Sequence, residues 1–358
     1  MIACVKTKRG VGGIEVMELR DFESPLSDPH VEVEVAWGSI CGSDIHFYKD
    51  VGDYSLFSVP KIMGHEASGI VRALPPNYMG DLKEGDKVVL EPHVHCGTCR
   101  LCKSGATNVC ENRVIHGFHI DGFFVDTLRI ESKYVYKIPT SMDLRLGSLV
   151  EPMAIANNAL RRSGILENRD WLVGPVVILG PGKIGYFVTK LLRHHIPNSD
   201  VIVIGKDEDE KRLEAFTKEG IRTLTFRSKR YAVTPHNLIL DSDKLDKPQL
   251  IFDCSGSPDA LGESISMLGR KGRLVVVGLY EEGGEFTPHI LSSIVREEKT
   301  IIGASGALPE DYDIVIKYID AGFISRDILS EFSIKDCDLA FTKFLRRETI
   351  TALLKING

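Results

Sequence analysis

One run of the chain restricts the fold more than any other. Val176-Val177-Ile178-Leu179 leads without a break into Gly180-Pro181-Gly182-Lys183-Ile184-Gly185. Four apolar, mostly β-branched residues suit a strand buried on both faces, and it ends in a G-x-G-x-x-G turn that opens a helix. Gly180 permits the tight turn, Gly182 lets the backbone approach a pyrophosphate, and Gly185 allows close helix-to-strand packing, with the helix N-terminus directed at the negative charge. A plain glycine turn is the alternative. The residues that follow argue against it: VIVIG (201–205), LEAFTKEG (213–220), LIFDC (250–254), RLVVVG (273–278) and TIIGASG (300–306) continue an alternation of strand and helix. That grammar implies a parallel sheet with helices on both faces.

The strand at Val201 to Ile204 should end on the group that reads the adenosine ribose, and an NAD site places a carboxylate there. This chain has Gly205 and then Lys206. A glycine leaves room for a 2′-phosphate and a lysine offsets its charge, which favours NADP; Asp207 keeps NAD as the alternative. Arg227, Lys229 and Arg230 are basic residues that either assist the phosphate or form a solvated surface. Gly278, closing RLVVVG, is a further backbone position for the cofactor.

Before Gly174 the pattern is different. Short β-type runs, Val31 to Val35 alternating with Glu32 and Glu34, Lys87 to Leu90, and Tyr134 to Ile138, are separated by Gly, Pro and Asp, which predicts an irregular, mostly β domain. A helical segment between Met142 and Gly164 links the two parts. The tail from Asp311 has helical periodicity in DIVIKYIDAG and DLAFTKFLRR, then the strand ALLKI, placed to return to the first domain. The expected division is 1–158 with 308–358, and 159–307, with Ser228 to Lys247 as a loop. The 358 residues suffice for two cores.

With 43% hydrophobic and 26% charged residues the composition is that of a globular protein, and a net charge of −6 argues against a general phosphate-backbone binder. No stretch of about 18 apolar residues occurs, and MIACVKTKRG has no leader pattern, so a soluble cytoplasmic protein without membrane or nucleic-acid partners is expected.

Four of the eight cysteines, Cys96, Cys99, Cys102 and Cys110, form C-x2-C-x2-C-x7-C. Such spacing matches the closed thiolate tetrahedron of a structural zinc. Cys4, Cys254 and Cys337 read as small buried hydrophobes. A second set is dispersed: Cys41-Gly42-Ser43-Asp44-Ile45-His46, Gly64-His65-Glu66 and Glu151-Pro152. One Cys, one His and a carboxylate would leave a zinc position open to water or substrate. Spacing alone does not bring these groups together, and Ser43 and Asp44 read equally well as a turn or helix cap.

CGSDIH, GHEASGIV, EGDKVV, the four-cysteine lobe, VEP (150–152), VILGPGKIG, FDCSG and GRLVVVG stand in one order over nearly the whole chain, which resembles the zinc-containing medium-chain dehydrogenase family. The resemblance implies an α/β chain: a GroES-like mostly-β catalytic domain plus a Rossmann doubly wound domain, with a catalytic zinc in the cleft between them. It implies Cys41 and His65 as zinc ligands and Glu66 as a ligand or close neighbour. Glu151 stands where many alcohol dehydrogenases have a cysteine, as in the sorbitol and glucose dehydrogenase branch, where the acid binds zinc directly or through water. It further implies that Ser43 takes the substrate proton and passes it through the cofactor ribose to His46, and that the protein forms dimers or tetramers. The predicted reaction moves a hydride between a sugar or polyol hydroxyl and NAD(P). His116, Phe118, His119 and Phe124 face the cleft in relatives or pack in a core. Ala304-Ser305-Gly306, where NADP-accepting glucose dehydrogenases tend to carry an asparagine, counts against glucose. L-threonine dehydrogenation with NAD is the enzymatic alternative. A nucleic-acid-binding zinc module, and a non-catalytic reuse of the fold, are the others.

Overall fold

The computed structural model describes residues 1–20, 26, 29–226, 247–280 and 288–357. Arg227, Lys229, Arg230 and all but the last residue of the Ser228–Lys247 stretch lie outside them. The chain divides into two compact units, 1–154 with 306–358, and 155–305.

The first unit opens with strands β1 (Ile2–Lys6), β2 (Ile14–Glu18), β3 (His30–Ser39), β4 (Lys61–Ile62), β5 (Ala67–Ala73), β6 (Lys87–Leu90), β7 (His93–Val94), β8 (Val114–Ile115), β9 (Thr127–Glu131) and β10 (Val135–Lys137). Helix α1 (Gly42–Lys49) follows β3 directly. The alternation in β3 has its expected effect: Val31, Val33 and Val35 are fully buried, whereas Glu32 turns to the other face and accepts from Arg129 on β9 at 3.0 Å. The expected single helix over Met142–Gly164 is two, α3 (Leu144–Gly147) and α4 (Val150–Ser163), with a short α2 (Arg100–Lys103) earlier in the cysteine lobe. Gly147 packs so tightly on β5 that a Cβ there would lie 3.0 Å from Ser68 Cβ, which ends the first helix against the sheet.

The second unit carries a six-stranded parallel sheet. Its strands are β11 (Val176–Leu179), β12 (Val201–Lys206), β13 (Arg222–Phe226), β14 (Leu250–Asp253), β15 (Arg273–Val276) and β16 (Thr300–Gly303), ordered β13-β12-β11-β14-β15-β16. Helices α5 (Lys183–His195), α6 (Glu210–Lys218), α7 (Pro258–Met267) and α8 (Pro288–Arg296) connect them. Every residue of β11 and β14 is buried, as a central parallel strand requires. The order reverses between β11 and β14, the topological switch point at whose carboxyl end ligands bind in open α/β sheets. β13 was not anticipated; Arg-Thr-Leu-Thr-Phe lies on the sheet edge, where a partly polar strand lacks a continuous apolar run.

The chain then returns to the first unit through α9 (Pro309–Asp320), β17 (Glu331–Ser333), α10 (Cys337–Leu345) and β18 (Leu353–Lys355). β18 pairs antiparallel with β3, Leu353 opposite Ser39, and parallel with β17. One sheet thus runs β10-β6-β5-β3-β18-β17, with β9 also on β3. Cys4 and Cys337 are buried as expected, but Cys254, at the end of β14, is only partly so. Among the described residues no helix is long and apolar enough to cross a membrane.

Candidate active site and zinc lobe

The first unit brings Cys41, His65 and Glu66 together: one ligand atom from each lies within 4.8 Å of the others. Cys41 stands at the N-terminus of α1, and His65 and Glu66 lie between β4 and β5. Gly64 places them. Its φ is +87°, and a Cβ there would fall 2.2 Å from the ring of Phe124, so only glycine lets this turn sit against the core. Glu66 is fully buried and His65 nearly so.

Asp44, also fully buried, fixes two of these groups at once. Its Oδ2 accepts from the backbone N–H of Cys41 at 2.9 Å, and its Oδ1 lies 3.1 Å from His65 Nδ1. Burial opposes a charged His65, but Asp44 and then Cys41 outweigh it and hold the imidazole well above its usual range. His65 Nε2 is thereby turned to Ser43 Oγ, 3.3 Å away. Sulfur, imidazole and carboxylate converging on one point form a donor set that suits zinc, and a three-ligand set leaves the open position that a catalytic site needs. Glu151 is buried near the start of α4, but it is not part of this close group of three.

The four-cysteine lobe is a second cluster, again with ligand atoms within 4.8 Å. Sulfur separations of 4.0 Å (Cys96–Cys102), 3.9 Å (Cys99–Cys110) and 3.5 Å (Cys96–Cys110) approach the edge of about 3.8 Å of a tetrahedron with arms of about 2.3 Å. Backbone N–H groups aim at the sulfurs: Cys99 N at Cys96, Cys102 N at Cys99, and Cys96 N and Asn112 N at Cys110, at 3.3–3.4 Å. Hydrogen bonds from the Thr98 and Cys99 backbone pull the Cys96 thiol down to about 5. A loop that holds four sulfurs at these separations, three of them facing backbone N–H groups, fits a metal bound for structure.

In the second unit the glycine-rich turn forms a cradle. A Cβ on Gly185 would lie 2.1 Å from Gly180 O, and one on Gly180, whose φ is +94°, would lie 2.8 Å from Ser255 Cα. Both are demanded by the protein itself. At Gly182 the nearest atom is Arg212 Nη1, 3.9 Å away; here the space is open at the N-terminus of α5, as a bound pyrophosphate requires. Pro181, Lys183 and Ile184 complete that turn, and Gly278 approaches Gly256 so closely that a Cβ would lie 2.5 Å from its N. Gly205 also has a packing reason: a Cβ there would meet Pro181 Cγ at 2.9 Å and Asp209 Cβ at 3.0 Å. Asp209 caps the turn by accepting from Lys206 N at 2.9 Å.

Two family profiles match the chain, the alcohol dehydrogenase GroES-like domain over residues 27–140 and the zinc-binding dehydrogenase over residues 184–321. The chain belongs to the zinc-containing medium-chain dehydrogenases. It is an oxidoreductase of CH–OH donors. It is similar to the D-arabitol-phosphate dehydrogenase of Enterococcus avium, 28% identical with 98% of each chain covered. To the sorbitol dehydrogenase of Halalkalibacterium halodurans it is also 28% identical, with 99% of each covered. Among solved structures, galactitol-1-phosphate dehydrogenase from Escherichia coli shares the fold, with a TM-score of 0.83, 22% identity, and 99% and 100% of the two chains covered.

Other groups around the metal cluster of this dehydrogenase were not legible as such. Tyr54, on the 3-10 turn Gly52–Leu56, stacks on His46 at 5.5 Å and hydrogen-bonds Ser43; burial, then the charges of Cys41 and Asp44, push its hydroxyl up. Phe118 lies 5.1 Å from His65 and 5.1 Å from Tyr54, and Phe57 connects it to His119 at 4.7 Å. Of the four residues that could face substrate or core, Phe118 and His119 thus join this aromatic wall. Phe124 is core packed on Gly38 and Gly64, and His116 is tied to Asp121 O at 2.8 Å.

Proposed function

We propose that this dehydrogenase interconverts a hydroxyl of a polyol or sugar and the corresponding carbonyl, at a zinc held by Cys41, His65 and Glu66, with Glu151 binding directly or through water. The observation that carries this reading is the converging thiol, imidazole and carboxylate, held from behind by Asp44. NADP is favoured over NAD: Lys206 is the last residue of β12, and Arg212, which the sequence did not single out, adds a guanidinium beside Gly182. The two curated relatives act, by name, on polyols or their phosphates.

When bound, zinc supplies a Lewis acid for the substrate oxygen and the nicotinamide supplies the hydride acceptor. The chain's own residues handle the proton. Ser43 Oγ, adjacent to His65 Nε2, accepts it from the substrate hydroxyl while releasing its own hydroxyl proton toward His46, and Tyr54 holds Ser43 in place. His46, partly exposed and stacked under Tyr54, exchanges it with solvent. The aromatic wall of Phe118, Tyr54 and Phe57 excludes water from one side. The lobe of Cys96, Cys99, Cys102 and Cys110 holds the second zinc. The protein works in the cytoplasm as a homo-oligomer, for which β16 supplies a surface: it is an edge strand with Ile301 exposed, next to α8 with Leu291 and Val295 exposed.

Zinc-loaded protein is incubated with NADP or NAD against polyols, aldoses, simple secondary alcohols and L-threonine, and its mass is measured in solution. Turnover of a polyol or sugar with NADP preferred, two zincs per chain, and loss of both activity and one zinc in Cys41→Ser is the expected result. Turnover confined to L-threonine with NAD would move the assignment to a threonine dehydrogenase. A single zinc per chain in active wild type, or undiminished activity in Cys41→Ser, would refute the site.

A further inference from the structure

The curated relatives leave one choice open. At the same identity, one is named for a neutral polyol and the other for a polyol phosphate. Within the first unit, the groups beyond the metal cluster bear on that choice.

Arg113 directly precedes β8, and its Nη1 donates to Asn108 O at 2.7 Å. Asn108 and His93, on the paired strand β7, meet at one point: a Cβ on Gly306 would lie 3.3 Å from Asn108 Cβ and 3.7 Å from His93 Cε1. His93 is about nine-tenths buried, and among the described residues its Nδ1 has no hydrogen-bond partner. Burial, then the charges of Arg113 and His65, hold it down to about 3, so it is a neutral imidazole. Tyr54 connects this corner with the metal cluster, since its hydroxyl bonds Ser43 and senses both Cys41 and Arg113. His119, on the aromatic wall, is pushed down by burial and then by Arg113 and Lys61. A chain of net charge −6 has here a guanidinium whose charge, like that of Cys41, reaches the Tyr54 hydroxyl.

A half-buried guanidinium has lost part of its hydration, and for Arg113 burial outweighs what the Tyr54 hydroxyl and the Cys110 thiol return. An anion brought to it recovers that loss through charge-assisted, bidentate hydrogen bonds. His93 Nδ1 is a buried polar atom suited to a substrate hydroxyl on the way. We propose that Arg113, with His93 and Tyr54, forms a subsite for an anionic group at the far end of the substrate, so that the preferred substrate is a polyol phosphate or a sugar acid rather than a neutral polyol. The inference rests on the reacting hydroxyl binding at Cys41, His65 and Glu66.

The test compares kcat/KM for galactitol, galactitol 1-phosphate and L-galactonate in wild type, Arg113→Gln and Arg113→Lys. The expected result is an anionic-to-neutral ratio on the order of 10 to 100 in wild type, falling toward one in Arg113→Gln and partly kept in Arg113→Lys. The phosphate and the carboxylate arms tell which anion is preferred. A wild-type ratio near or below one, or equal losses on neutral and anionic compounds in Arg113→Gln, would overturn the proposal. A second readout is independent of turnover: with the dinucleotide site filled by cofactor, inorganic phosphate should raise the Tm of wild type but not of Arg113→Gln. If no compound is turned over yet phosphate still discriminates the two proteins, the reaction assignment fails and the anion subsite stands. If phosphate raises both or neither, the subsite falls whatever the turnover.

Discussion

Replacing Asp44 by Asn tests whether the metal cluster is organised from behind. The carboxylate is fully buried and serves two donors, Cys41 N at 2.9 Å and His65 Nδ1 at 3.1 Å. An asparagine offers one acceptor oxygen and one NH2, so one of the two N–H groups is left facing a donor. The other keeps a bond that is no longer charge-assisted. Losing one bond of this kind costs about 2 kcal/mol, and at about 1.4 kcal/mol per tenfold this corresponds to a metal site weakened roughly 30-fold. That lies within the range of about 10- to 100-fold common for groups that orient a metal ligand. The assay is a chelator titration of zinc-loaded wild type and Asp44→Asn, with retained zinc counted at each step. One zinc, that of the cysteine lobe, should leave both proteins at the same chelator concentration, and the other should leave the variant at a concentration roughly 30-fold lower. Because Asp44 also caps α1, the Tm of the metal-free proteins is compared in parallel; a capping effect alone would appear there and leave the titration unchanged. Two coincident titrations would refute the orienting function, and an earlier loss of the lobe zinc would show that the two clusters are not independent.

Two further outcomes are expected. Gly182→Ala should fold with an unchanged Tm, since the nearest atom to the new methyl is 3.9 Å away, yet bind the dinucleotide at least tenfold more weakly; in Gly185→Ala, whose methyl would lie 2.1 Å from a carbonyl oxygen, the Tm itself should fall, by about 1–3 kcal/mol of stability. Scanning calorimetry and cofactor titration separate the pair, and equal binding in Gly182→Ala would remove Gly182 from the cradle. Burial pushes Glu91 up from 4.5 to about 7, against a hydrogen bond from Tyr136. The folded protein therefore holds a proton that the unfolded chain has lost between these values, and stability falls as pH rises through that window. Glu91→Gln should remove the fall and be more stable than wild type at pH 8 by up to about 3 kcal/mol, and equal to it near pH 4.5; urea unfolding at both values checks this, and a less stable variant at pH 8 would mean that the ionised Glu91 is paired.

Where a cluster is built from residues close in sequence, its geometry was legible there. The lobe cysteines lie within one loop, and the glycine turn is continuous with its strand, so spacing alone specifies their geometry. Cys41, His65 and Glu66 meet because β3 and β5 are neighbours, a pairing that no local pattern encodes. Asp44 reads as a helix cap because it is one; that its second oxygen holds His65 depends on a contact 21 positions away. Tyr54 and Arg212 have ordinary sequence surroundings and gain meaning only from the side chains they meet. Phe118 and Phe124 show the same limit: six positions apart in one stretch of aromatic residues, both are buried in the core of the first unit, and only their contacts tell them apart, Phe118 lying 5.1 Å from His65 and Phe124 packing on Gly38 and Gly64. The packing at Gly205 was not legible for a related cause, since the Pro181 and Asp209 atoms that exclude a side chain there belong to two different loops.

The pairing of β18 with β3 has a consequence for the order of events during synthesis. Residues 155–305 form a continuous unit that can fold as soon as it leaves the ribosome. The metal-ligating candidates, all translated before residue 152, sit in a unit whose sheet is closed only when Leu353–Lys355 arrives. Until then the Trp37–Ser39 end of β3, beyond its pairing with β9, presents an open edge beside a set of uncommitted thiols, so the portion made first is completed last. Nascent chains released before residue 353 should therefore depend on chaperones and on early zinc capture far more than chains only a few residues longer.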